Sequence, residues 1–134
     1  DALPIYAQAL INGNNSVLLN YPDTFAAECY SRITTQLYPP KTVIEYQRKA
    51  FVAKENNIRI TFDHHIIGTE ASYDIFSEDL NQNYLLDPYL VILEVKYNGF
   101  LLSYIKELLD SVDRSELSAS KYCLGRAVSK HYRF

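Results

Sequence analysis

The sequence predicts an α+β fold, an antiparallel sheet with flanking helices, and three observations carry that expectation. In Leu90–Tyr97, Val91, Leu93 and Val95 alternate with Ile92, Glu94 and Lys96, the period of two that marks a strand. Asn57–Asp63 repeats the pattern, with Ile58, Ile60 and Phe62 on one face and Arg59, Thr61 and Asp63 on the other. Phe25, Cys29, Ile33 and Leu37 recur at steps of four, which is helical spacing. Both strands thus pair an apolar face with a charged one. On an open sheet the charged face is wet; in a closed barrel it lines a channel.

Taken in order, Ile5–Leu10 predicts a first helix, broken at Asn12-Gly13-Asn14-Asn15. Ser16–Asn20 is a short apolar link. Asp23 or Thr24 caps the helix that carries the stripe of four, and Pro39-Pro40 ends it. Thr42–Phe51 predicts a strand with Ile44, Tyr46, Arg48 and Ala50 on one face, opposite Glu45, Gln47, Lys49 and Phe51. Lys54-Glu55-Asn56-Asn57 reads as a hairpin turn into the strand Ile58–Asp63, which brings Arg48 and Arg59 near each other. His64–Leu86 is polar, acidic and poorly periodic, a long excursion with short strand pieces. Asp87-Pro88 turns the chain into the strand Leu90–Tyr97, which Asn98-Gly99 ends. Leu101, Leu102, Ile105, Leu108, Leu109 and Val112 then mark an amphipathic helix. Ser115–Ser120 is a loop, and Arg126, Lys130 and Arg133 form a basic tail.

The 134 residues suit a single domain or a fragment of one, with a helical lead-in over 1–38 and the sheet and late helix over 39–134. Hydrophobic residues at 48% argue against disorder. A net charge of −3 argues against a general nucleic-acid binder. No apolar run reaches bilayer length, and no signal-peptide pattern opens the chain. Cys29 and Cys123 lie far apart without CxxC pairing, which suits reduced thiols in a cytoplasmic protein. The chain has no methionine and starts at Asp1, so a trimmed chain or a piece of a longer one is expected.

No GxGxxG or GxxxxGK[ST] offers a backbone cradle for phosphate. Side chains would have to hold it, and Arg48, Arg59, Lys96 and Lys121 are the candidates. The plainer reading of each is a solvated or salt-bridged surface residue. Glu94 and Asp63 are carboxylates of the kind that ligate Mg2+ or Mn2+; their plainer role is pairing with Lys96 and Arg59 across the sheet. His64 and His65 are expected on opposite strand faces, which disfavours a shared metal.

Four strings, "VIEYQRKAF", "IRITFDHHI", "ILEVKYNGF" and "SASKYCLGR", occur in this order. Together they resemble the C-terminal half of the VTC domain, the polyphosphate polymerase domain of the vacuolar transporter chaperone type. That family belongs to the CYTH, or triphosphate tunnel metalloenzyme, superfamily. The resemblance covers nearly the whole chain, without the N-terminal half and its basic strands, and without the family's usual Pro after Gly99-Phe100-Leu101. It implies a tunnel-type antiparallel sheet, about half of it present here. It also implies transfer of phosphoryl groups from a nucleoside triphosphate to polyphosphate with Mg2+ or Mn2+. By the matched motifs Arg48, Arg59 and Glu94 are implied as catalytic residues. Arg48, Arg59, Lys96 and Lys121 are implied as phosphate-binding, and Glu94 as the metal carboxylate with Asp63 beside it. The alternatives are a triphosphate hydrolase of the same superfamily and a non-catalytic polyphosphate-binding or scaffold module. The fragment alone is expected to be inactive. Its open sheet edges predict a homodimer or strand-swapped assembly.

Overall fold

The computed structural model describes residues 2–116 and 119–131. Four helices and four strands follow in the order α1 (Ala2–Ile11), α2 (Thr24–Gln36), β1 (Val43–Ala53), β2 (Ile58–Thr69), β3 (Asn83–Tyr84), β4 (Ile92–Lys96), α3 (Ser103–Asp110) and α4 (Lys121–His131). The chain divides into two compact units, Asp1–Val43 with Thr69–Asn81, and Ile44–Gly68 with Gln82–Phe134.

In the first unit α1 ends at Gly13, whose φ of +79° suits a residue without a Cβ. The expected apolar link is a 3-10 helix, Asn15–Asn20. Asp23 caps α2, its Oδ1 accepting from the Phe25 N–H at 2.8 Å. The expected stripe only partly faces inward: Phe25 and Leu37 are exposed and Ala26 is the buried residue. Steps of four overrun the 3.6-residue turn by about 40° each, so the ends of the stripe leave the face. The Thr69–Asn81 stretch is held by short side-chain turns. The N–H groups of Ala71, Asp74, Phe76 and Asp79 each bond the side chain two residues back. Such turns need polar residues without periodicity, which is how the stretch reads in sequence.

The second unit is built on β2. It neighbours β1, pairs antiparallel with β4 over Arg59–Asp63, and pairs antiparallel with β3 at Ile67 and Gly68. The sheet is open: among the described residues β1 and β4 each pair with β2 alone. β2 runs on to Thr69, well past its expected end at Asp63. His65, at a φ of +50°, interrupts the alternation there and hides the continuation from a period-two reading. The β4 register places Arg59 opposite Lys96, Thr61 opposite Glu94 and Asp63 opposite Ile92. Directly opposed residues share a face, so the charged residues of both strands lie on one side. Ile58, Ile60, Leu93 and Val95 lie on the other, where Ile105 and Leu109 of α3 close the core with Leu101 and Leu102. Leu108 and Val112, expected inside, are exposed: Leu108 sits about 100° round the helix from Leu109, and Val112 lies past the end of α3 at Asp110.

Of the expected basic tail, Arg126 and Lys130 lie in the helix Lys121–His131, and Arg133 lies outside the described residues. Ser120 starts the helix, accepting from the Leu124 N–H at its carbonyl and, over 3.4 Å, from the Cys123 N–H at its Oγ. Gly125 is buried within the helix. Cys29 and Cys123 are free.

Candidate functional site

Asp63 is the centre of the charged face. Its side chain is wholly buried, and an unpaired buried carboxylate is costly. Two cations from different elements compensate it. Arg48 of β1 binds it as a fork, Nε to Oδ1 at 2.6 Å and Nη2 to Oδ2 at 2.7 Å. Lys121, the first residue of α4, brings Nζ to 2.6 Å from Oδ2. The fork-to-fork geometry is the strong form of this pair. The Arg48 hydrogen bond, with help from Lys121 and against the cost of burial, holds the Asp63 carboxyl at about 2, below its ordinary 3.8. The same bond raises Arg48 further above its already high value, with a smaller contribution from the Glu94 charge.

The Tyr46 ring lies beneath both cations, 5.0 Å from the Arg48 guanidinium carbon and 4.8 Å from Lys121 Nζ. That residue lies in the first matched string without an implied role, and its position two before Arg48 put it on the same strand face. Thr61 is a second feature that the sequence did not single out. It lies between Arg59 and Asp63 on the same face, 2% exposed, and its Oγ1 has no hydrogen-bond partner among the described residues.

The outer part of the face is wetter. Glu94 and Lys96 form an ion pair of 3.0 Å with side-chain exposures of 41% and 69%. A pair this exposed contributes little to stability. Arg59 is exposed and makes no ion pair with any described residue. The structure therefore brings Arg48, Asp63 and Lys121 into direct contact and places Arg59, Glu94 and Lys96 on the same sheet face. Of the two carboxylate pairings expected, one forms and the other does not. Glu94 does meet Lys96, but Asp63 meets Arg48 and Lys121 instead of Arg59.

The two carboxylates differ as metal ligands. Both Asp63 oxygens are taken by Arg48 and Lys121, whereas the Glu94 carboxylate is accessible. Among the described residues no three His, Cys, Asp or Glu side chains gather as a cage. Mg2+ commonly binds through one or two carboxylates plus substrate phosphates, and Glu94 fits that mode. His64 and His65, expected on opposite faces, have their Nδ1 atoms 2.6 Å apart. The positive φ of His65 turns its ring onto its neighbour.

Residues 3–130 match the family model of the VTC domain. No curated protein and no solved structure gives a significant match. Among the described residues no helix is long and apolar enough to cross a membrane.

Proposed function

The chain belongs to the VTC domain family, and on that premise we propose that it forms the polyphosphate-handling face of a phosphotransferase acting in the cytoplasm. The reaction extends polyphosphate by a phosphoryl group taken from a nucleoside triphosphate. One observation carries the reading. A chain of net charge −3 gathers Arg48, Arg59 and Lys96 on one sheet face and brings Lys121 of α4 onto it, beside the carboxylates Asp63 and Glu94. An acidic protein that concentrates cations on one face is built to meet a polyanion.

Arg59 and Lys96 are the outer contacts for phosphate, and Arg48 and Lys121 the inner ones. Phosphoryl transfer needs little covalent help from the protein. Positive groups aimed at the oxygens of the transferred phosphoryl, held before the reaction starts, supply most of the acceleration. Glu94 would hold Mg2+ or Mn2+, which when bound neutralises phosphate charge that the side chains leave uncompensated. In the full domain this face lines a triphosphate tunnel of the CYTH type, completed by strands beyond this sheet or by a second copy of the chain.

Turnover is to be measured on the assembled domain with a nucleoside triphosphate, polyphosphate primer and Mn2+, with the products resolved by size. A lengthening polymer is the expected result, and Glu94→Gln is expected to lower turnover by roughly a hundredfold or more while polyphosphate binding persists. Release of free phosphate alone identifies a hydrolase. Binding without turnover in the wild type, with or without metal, identifies a scaffold module.

A further inference from the structure

We infer that Asp63 is a positioning residue: its buried carboxylate fixes Arg48 of β1 and Lys121 of α4 side by side, so that their unused N–H donors meet polyphosphate as one preformed pair. The inference rests on the proposed polyphosphate reading and adds a role to a residue that touches no substrate.

Three features argue for positioning over a simple surface ion pair. Arg48 Nη2 and Lys121 Nζ bind the same oxygen, Oδ2, at 2.7 and 2.6 Å, so the two cationic groups are neighbours. Like charges that close repel unless an anion lies between them, and Asp63, wholly buried, is that anion. Second, Lys121 is the first residue of α4, where the helix dipole disfavours a cation. A cation kept at an unfavourable position needs a reason, and the contact to Asp63 supplies it. Third, the cluster is not neutral. Two cations on one carboxylate leave a residual positive charge, backed by the Tyr46 ring, and Arg48 and Lys121 remain 31% and 19% exposed. Their remaining donors are therefore accessible in directions that Asp63 sets.

The test uses the sign of an affinity change. Asp63→Asn removes one negative charge from the face. If Asp63 were only a counter-charge, the variant would bind medium-chain inorganic polyphosphate more tightly. Positioning predicts binding about tenfold weaker, the loss of one charge-assisted contact set, despite the more positive face. Calorimetric titration of wild type and variant reads this directly. In parallel, the Arg48 Nε–H resonance is expected to be protected from exchange in the wild type and to lose that protection in Asp63→Asn. Should Asp63→Asn not fold, Asp63→Glu carries the test, since it keeps the charge but displaces the carboxylate by one methylene; a counter-charge alone predicts unchanged affinity, and positioning predicts the same loss.

Equal or tighter binding by a folded variant overturns the inference, as does an Arg48 Nε–H that exchanges as fast as that of exposed Arg59. A wild type that fails to bind polyphosphate refutes the proposed function itself and takes this inference with it. The two failures are therefore distinguishable.

Discussion

Thr61 and Asp63 are neighbours on one strand face, both almost fully buried, yet they stand in opposite energetic positions. Asp63 is saturated by two cations, while the Thr61 hydroxyl has no partner among the described residues. A buried unsatisfied hydroxyl costs about 1 to 3 kcal/mol. Thr61→Val keeps the branched shape and removes that group, so it is expected to stabilise the protein by about 1 kcal/mol, read as a higher urea midpoint at unchanged slope. A loss of stability would mean that the hydroxyl is paired. Asp63 gives a pH signature of defined sign. Its carboxyl is held at about 2 in the folded chain, below its ordinary 3.8. The stabilisation is then fully present above that ordinary value and lost as pH falls toward about 2. The stability difference between wild type and Asp63→Asn should be constant near neutrality and shrink through that acid window. A difference independent of pH would show that the carboxylate is not specially stabilised.

At the scale of single elements, α2 carries a correctable defect. Its cap residue Leu37 has a φ of +53° and a ψ of +58° and is exposed. A left-handed conformation costs a branched side chain about 1 to 2 kcal/mol, and glycine removes that cost while losing some of it to chain entropy. Leu37→Gly should therefore raise stability by about 0.5 to 1 kcal/mol in thermal or urea unfolding, and Leu37→Val should lower it. How much the sequence revealed follows the same physics. Wherever a strand kept its period, the residues announced the face: Arg59, Thr61 and Asp63 on one side and Ile58, Ile60 and Phe62 on the other, as the β4 register has it. Where one residue broke the local pattern, the element was invisible. His65 hid the second half of β2, and α4 was read only by its charge, as a basic tail. The site shared both fates. The cations were legible as residue types on strand faces, but their convergence on Asp63 was not. Lys121 reaches it from a helix far along the chain, and no local pattern encodes that contact.

For the whole molecule, the open sheet predicts an assembly. β1 pairs with β2 alone among the described residues, and it presents Phe51 and Val52 at 50% and 73% exposure. An edge with unpaired backbone groups and exposed apolar side chains is a template for another strand. Lys49, with its ammonium 5.4 Å from the Phe51 ring, is the kind of charged residue that blunts such an edge, but one lysine does not cover eleven residues of strand. β4 offers a second free edge of five residues. Pairing of identical edges is self-complementary when it follows a two-fold axis, so a dimer through β1 satisfies the longer edge of both copies. The expected result in light scattering is a dimer whose apparent mass falls toward the monomer on dilution. Val52→Pro removes a backbone donor, and Val52→Lys adds an edge charge; each should shift the equilibrium to monomer without unfolding the core around Ile58, Ile105 and Leu109. A monodisperse monomer at every concentration, equally stable in wild type and both variants, rejects edge pairing and leaves β1 as an edge that this chain tolerates open.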